Sequence, residues 1–432
     1  MMKYYSLNGK AKKAGFKEAV IKGLAEDKGL YFPEEIPVLP KTFFQELDQL
    51  SAPEIAYRLI KPYIDDEIPE PELKSIISET LGFYFPLITI EENIATLELF
   101  HGPTMAFKDV GARFMARCLG YFNRDSGKEI TVLVATSGDT GGAVASGFLG
   151  VENVKVVILY PSKKVSEVQE KQLTTLGKNI RALEVEGSFD DCQAMVKQAF
   201  LDKEITEKKQ LTSANSINVA RWLPQMFYYV FAYKQLKDKN KELVFSVPSG
   251  NFGNICAGMM AKKMGLPVYQ FIAATNVNDV VPNYLLTEIY APKPSVQTIS
   301  NAMDVGDPSN FIRIQKIYEN DFESLKKDLQ SYSFTDDETR DAMHNMYSNS
   351  HYIADPHGAV AYLGAKEYLK SNPDARCIFL ETAHPVKFLD VVEPVINRKL
   401  TYPDQIKSVI DKAKVALTIK TYGQLKSFLL NS

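Results

Sequence analysis

One lysine in this chain stands in unusual company. In His101-Gly102-Pro103-Thr104-Met105-Ala106-Phe107-Lys108-Asp109, the amine of Lys108 sits among small and apolar residues. Burial disfavours the charged form of an amine, so such a lysine becomes a competent imine-forming nucleophile and proton carrier. The same residues also allow a plainer arrangement. There the lysine stem lies on Phe107 at the surface and its charge pairs with Asp109.

Two further segments have the composition of anion sites. Thr136-Ser137-Gly138-Asp139-Thr140-Gly141-Gly142 follows the apolar run Ile130 to Ala135 and opens a small-residue helical stretch, Ala143 to Phe148. Ser137 and Thr140 offer hydroxyls, and amides at a helix start suit a carboxylate or phosphate. A helix start capped by Asp139 or Thr140 is the structural alternative. Pro248-Ser249-Gly250-Asn251-Phe252-Gly253-Asn254 follows the run Leu243 to Val247 and precedes the helix-like Ile255 to Met264. Its small residues let backbone N–H groups crowd around an anion, and the helix dipole adds to the attraction. The glycines do not fit G-x-G-x-x-G, and no Gly-Lys-Ser/Thr follows, so neither a dinucleotide fingerprint nor a P-loop is present.

These turns need elements to hold them. Apolar runs rich in β-branched residues recur at Ile130 to Ala135, Val154 to Tyr160, Ile180 to Val185, Leu243 to Val247, Val268 to Ala274 and Cys377 to Leu380. Helical patterns lie between several of them, at Glu167 to Leu176, Phe189 to Leu201 and Ile255 to Met264. Buried strands alternating with helices predict an α/β fold around mainly parallel sheets. Ligands in such folds sit at the carboxyl ends of strands, where both turns fall. Before Pro86 the amphipathic stretches Phe16 to Ala25 and Ile55 to Tyr63 predict a mostly helical N-terminal module. The proline-punctuated stretch Asn276 to Asn310 is too long for an idle connector and is expected to be functional or to cover something. Glu319 to Met346 reads as a charged, solvated helical segment.

Composition narrows the function. The chain has 432 residues, enough for two or three domains. A net charge of -3 gives no broad attraction to nucleic acid or membrane, so an anionic ligand must be held by a local site. The four cysteines, Cys118, Cys192, Cys256 and Cys377, are widely spaced and read as buried free thiols. His101 and His384 lack metal-ligand spacing, and no metal site is expected. No secretory signal stands at Met1 to Gly15, and no run of roughly 18 apolar residues exists to span a bilayer. A cytoplasmic protein is expected.

Together these segments resemble those of the threonine synthase family, within the fold-type-II pyridoxal-phosphate (PLP) enzymes. H-G-P-T-M-A-F-K-D is similar to the family's cofactor-lysine segment, S-G-D-T-G-G to its first anion loop, and P-S-G-N-F-G-N to its cofactor-phosphate loop. Leu380 to Phe388, L-E-T-A-H-P-V-K-F, is similar to the segment that meets the pyridine ring. Ser213 to Asn218 with Arg221, Ser300 to Gly306, Gly23-Leu24-Ala25 and Gly29 to Pro33 match as well. Tyr5-Ser6-Leu7-Asn8 departs from the family's Tyr-x-Ser-Thr-Arg.

The resemblance implies a tryptophan-synthase-β-like fold, with a helical module over residues 1–90 and two α/β subdomains over 91–432. It implies that Lys108 binds PLP through an imine and carries protons. Gly250, Asn251, Phe252, Gly253 and Asn254 would hold the cofactor phosphate, and Thr382 would bond the ring nitrogen. Ser137, Gly138, Asp139 and Thr140 would lie around the cofactor hydroxyl and the substrate carboxylate. Asn215, Ser216 and Arg221 are the candidates for a substrate phosphate, with Trp222 packing beside them. The implied reaction is γ-elimination of phosphate from O-phosphohomoserine and β-addition of water to give threonine, by a monomer or homodimer. A serine or threonine dehydratase, a keto-acid-forming phospholyase and a non-catalytic PLP-fold protein are the alternatives.

Overall fold

The fold is built on two sheets whose central strands are buried on both faces and therefore need cover on both sides. It is seen in a computed structural model that describes residues 1–124 and 127–431. One sheet has five parallel strands in the order Leu417–Ile419, Ile180–Val185, Val154–Pro161, Ile130–Ala135 and Gln210–Ser213. The other has six, in the order Leu329–Ser333, Gln270–Thr275, Leu243–Pro248, Arg376–Glu381, Ile94–Glu98 and Leu87–Glu91. Only its last pair is antiparallel. Every residue of Ile130–Ala135 and Gln270–Thr275 is buried, as their mainly apolar character requires.

The N-terminal module consists of helices Phe16–Lys22, Lys41–Gln45, Ala52–Ile64 and Glu70–Thr80 and a small antiparallel pair, Tyr4–Ser6 with Tyr31–Pro33. Ser51 caps Ala52–Ile64 by accepting from the Glu54 amide at 3.3 Å, and the helix buries Ile55, Leu59, Ile60 and Tyr63. Ala52–Ile64 packs on helix Met226–Lys234, and Glu70–Thr80 on helix Lys108–Asn123. The module thus shares one apolar core with the sheets. In the segment that departs from the family pattern, Ser6 Oγ donates to Asp27 at 2.6 Å, and Asp27 also takes the amides of Lys10, Ala11 and Gly29.

The region Glu319 to Met346 is not one helix. Helix Phe322–Asp328 ends in strand Leu329–Ser333, which joins the six-stranded sheet, and a new helix runs over Asp336–Ser350. The break has a local cause: Thr335 and Glu338 form a reciprocal capping box that starts the second helix afresh. The helix expected from Ile255 begins earlier, at Gly253, which brings Asn254 into its first turn. All four cysteines are buried and free.

Arg313 fastens the module to the sheets. Its guanidinium donates to the carbonyls of Tyr31 (3.0 Å), Ser216 (3.0 Å) and Ile217 (2.7 Å) and to Asn310 Oδ1 (2.7 Å), and lies 4.2 Å over the Trp222 ring. Arg313→Leu strands those acceptors in a dry interior. We expect a fall in unfolding free energy of about 3 kcal/mol or more, measured by urea denaturation. A loss below about 1 kcal/mol would show that the carbonyls find other donors.

Candidate active site

Three strands end where chemistry is expected. Ile130–Ala135 leads into Thr136 to Thr140, Leu243–Pro248 into Ser249 to Asn254, and Arg376–Glu381 into Thr382. Lys108 opens helix Lys108–Asn123 beside them. The Phe107 amide donates to Thr382 O at 2.8 Å, and Ala106 bridges Ala383 in antiparallel fashion. Tyr228 OH donates to Phe107 O, and Arg221 Nη1 donates to Lys108 O at 3.0 Å. The backbone of Lys108 is therefore gripped from several sides.

The surface pairing of Lys108 with Asp109 is not formed. Asp109 is buried and turned back onto Thr104, accepting from its amide at 3.0 Å and its hydroxyl at 2.5 Å. Lys108 instead lines a cavity. Burial pushes its amine down to about 8; Asp139 pulls against this, while Lys387 and Arg221 reinforce it. An amine in that range exchanges protons readily near neutral pH.

The first anion turn is capped from behind. Thr136 Oγ1 accepts the amides of Gly138 and Gly141, both at 2.9 Å. Helix Asp139–Phe148 has Gly138 at its N-cap with no side-chain bond, so neither Asp139 nor Thr140 is the capping residue that the sequence suggested. Gly138 has φ 140°, and a Cβ there would lie 2.4 Å from Gln169 Cδ, so only glycine fits. Asp139 is buried, paired with Lys387 Nζ at 2.7 Å and accepting from Gln169 Nε2 at 2.9 Å.

The second turn places Phe252 in the left-handed region at φ 59° and starts helix Gly253–Lys263. Asn254 Oδ1 accepts from Tyr229 OH at 2.9 Å, while its buried Nδ2 has no partner. Ser309 Oγ donates to Asn251 Oδ1 at 3.1 Å. Gly250 is walled by the covering segment: a Cβ would lie 2.8 Å from both Ala302 O and Met303 Cα. That segment is the end of the irregular stretch after Asn276. It is held by Asp304, whose carboxylate takes Asn276 Nδ2 (2.9 Å), Thr298 Oγ1 (2.7 Å) and the Thr298 amide (3.0 Å).

One cavity collects most of the sequence-derived candidates. Lys108, Ser137, Thr140, Asn215, Ser216, Arg221, Gly250, Asn251, Phe252, Gly253, Asn254 and Thr382 all line it. Gly138 and Asp139 are not among its lining residues. Asn215 is fixed by its amide to Ala135 O at 3.0 Å, and Ser216 Oγ accepts from Asn310 Nδ2 at 3.0 Å. Arg221 is buried; its Nε has no partner, and burial draws its guanidinium down to about 10.

Two buried residues at or behind the cavity wall escaped sequence reading. His357 lines the cavity, accepts the Ala302 amide at Nε2 (3.2 Å) and meets Asp355 Oδ1 through Nδ1 at 2.5 Å. Lys387 is fully buried beside Asp139. Its signal was present, since it too lies among apolar residues, as Lys108 does. His101 pairs with Glu98 at 2.7 Å, and His384 accepts the Val386 amide at 3.1 Å. Burial draws His384 down to about 4. Trp222 is buried packing.

Residues 91–382 match the model of the pyridoxal-phosphate-dependent enzyme family. Residues 3–81 match that of the threonine synthase N terminus, and 358–428 that of the threonine synthase C-terminal region. Threonine synthase of Haemophilus influenzae is 44% identical, with 100% of both chains covered. The crystal structure of threonine synthase from Escherichia coli superposes with a TM-score of 0.94 at 42% identity, covering 99% of each chain. The chain belongs to the threonine synthase family. PLP-bound threonine synthase from Brucella melitensis is similar too, with a TM-score of 0.92, 34% identity and coverage of 100% of this chain and 99% of that one. This family member is accordingly a PLP-dependent lyase of the α/β fold-type-II class.

Lys108→Ala is expected to remove the visible absorbance of bound PLP and essentially all turnover, read by spectrum and by product assay. Wild-type turnover in that variant would exclude Lys108 as the carrier. Gly250→Val drives two methyls into Ala302 and Met303. We expect loss of PLP retention in equilibrium dialysis, and unchanged retention would take this turn out of the cofactor site.

Proposed function

We propose that this site converts O-phosphohomoserine and water into threonine and phosphate. The observation that carries the reading is a second anion position beside the glycine turn. Arg221 is a buried guanidinium in the cavity wall whose described partner is a backbone carbonyl and whose Nε is unpaired. A buried cation without a counter-ion is costly, and a phosphate ligand would remove that cost. A dehydratase acting on an unphosphorylated amino acid has no use for it.

The cavity fits PLP. Lys108 supplies the amine, Gly250 leaves the room a phosphate needs, and Asn254 Nδ2 is an unused buried donor in the first turn of helix Gly253–Lys263. Gly250, Asn251, Phe252, Gly253 and Asn254 would hold the cofactor phosphate, and Thr382 would hydrogen-bond the ring nitrogen. Bound PLP supplies an electron sink for the carbons next to the substrate amine. Lys108, with its depressed affinity for protons, removes the α-proton and later moves protons between substrate carbons. A hydroxyl at Thr382 cannot force a proton onto a ring nitrogen as a carboxylate would. That suits elimination and replacement over aminotransfer. Ser137 and Thr140 would orient the substrate carboxylate, with Gly138 and Asp139 shaping the turn from behind. Asn215, Ser216 and Arg221 would take the substrate phosphate.

The same reading includes a division at about residue 90 into a helical module and a catalytic region of two α/β subdomains. It also includes a cytoplasmic location and a monomer or homodimer. Among the described residues no helix is long and apolar enough to cross a membrane.

Purified protein given O-phosphohomoserine is expected to release threonine and phosphate. Arg221→Ala should keep PLP and raise KM for this substrate, losing roughly 30- to 150-fold in kcat/KM, or about 2–3 kcal/mol. Arg221→Lys should recover only part of this, since a point charge replaces a planar fork. Slow turnover of serine, which carries no phosphate, should change little. Equal losses on both substrates with a lower melting temperature would make Arg221 a structural anchor.

A further inference from the structure

Lys387 has no part in the chemistry described above, yet it is among the least exposed ionisable groups of the molecule. Its side chain is 0% exposed and that of Asp139 is 4% exposed. Nζ sits 2.7 Å from Asp139 Oδ1 and donates to Thr104 O at 2.9 Å. Those contacts join three site segments that are remote in sequence. Thr104 belongs to the Lys108 loop, Asp139 to the first anion turn, and Lys387 to the 3₁₀ turn Pro385–Phe388 just after Thr382. Gln172 Nε2 also reaches Thr104 O, at 3.1 Å, and Gln169 Nε2 reaches Asp139 Oδ1, so the junction is closed by amides from helix Glu167–Thr174.

We propose that Lys387 is a positioning residue: clamped between Asp139 and Thr104, it locks the anion turn to the Lys108 loop and neutralises the one carboxylate beside the reacting amine. Without it, Asp139 would present a bare negative charge at the base of a turn whose neighbours must receive anions. A buried charge beside an amine alters that amine's proton affinity strongly. The charged groups acting on Lys108 are Asp139, which favours its protonated form, and Lys387 and Arg221, which oppose it. Around Lys387 itself lie Asp139, the buried Asp109 and the neutral His384. Removing either member of the pair therefore has opposite consequences at the Lys108 nitrogen. Loss of Lys387 leaves the carboxylate dominant, and loss of Asp139 leaves the cation dominant.

The test uses PLP-loaded protein and reads the pH at which the visible band of the bound cofactor titrates. The proposal rests on Lys108 carrying PLP. If that is wrong, Lys108→Ala keeps the band, which separates failure of that reading from failure of this one. Lys387→Met is expected to move the titration to higher pH by roughly one unit or more, and Asp139→Asn to move it to lower pH by a similar amount. The double variant should return close to the parent, because the two charges are removed together. Lys387→Gln covers the case in which Lys387→Met fails to fold. It keeps donors for Thr104 O and Asp139 while losing the charge, and should give the same upward shift. Shifts in the same direction for both single variants, or no shift in any of them, would overturn the proposal and leave the pair as packing.

Discussion

A backbone hydrogen bond, Phe107 N to Thr382 O at 2.8 Å, spans the seam on which this site depends. Lys108 starts a helix that packs on Asp139–Phe148, the helix leaving the five-stranded sheet. Thr382 directly follows the strand Arg376–Glu381 of the six-stranded sheet. Two rigid sheets give precise geometry only if the segments between them are fixed to each other. With the His384 amide bonded to Met105 O at 3.1 Å, the Phe107–Thr382 bond closes the antiparallel Ala106–Ala383 bridge. The result is a short cross-sheet staple made of main chain, which no side-chain substitution removes directly.

Electrostatics around the seam follow from where charge has been buried. Arg313 and Arg221 are buried, and their described hydrogen bonds are mostly to backbone carbonyls. Main-chain oxygens satisfy donors without cancelling charge. Both guanidiniums therefore keep their charge uncancelled by a direct carboxylate bond. On the other side, Glu381 and Asp355 share one buried pocket. Burial and the neighbouring Asp355 hold the Glu381 carboxyl far above its usual range. Asp355 meets His357 Nδ1 at 2.5 Å and accepts the Ala383 amide at 3.3 Å, while its own amide donates to Glu381 Oε1 at 2.5 Å. The polar chain therefore runs from Glu381, at the end of its strand, to the covering segment at Ala302.

Much of this was legible in the chain itself. Val-Leu-Val-Ala and Val-Phe-Ser-Val runs ending in glycine-rich turns identify strand ends, because apolar periodicity and turn chemistry are both local. Lys108 stood out for the same reason. What could not be read depended on partners distant in sequence. Thr136, not Asp139, closes the first turn because Asp139 is taken by Lys387, and nothing near residue 139 announces that. Arg313 and His357 look like ordinary polar residues on helices until folding sets them against Ser216 and Ala302. The strand Leu329–Ser333 was hidden by charged neighbours, although Thr335 and Glu338 do carry a visible helix-start signal.

The edge strand Leu417–Ile419 has a consequence for biosynthesis. It pairs in parallel with Ile180–Val185, and just before it Lys414 is held by Glu170 and Glu184, each at 2.7 Å. A chain emerging from the ribosome therefore makes the strand Ile180–Val185 more than two hundred residues before the partner that covers its outer edge. During that interval this strand offers unpaired amides and carbonyls to any passing chain, the usual opening for misassembly. The exposure ends when residues 417 to 419 arrive and cover this edge of the sheet.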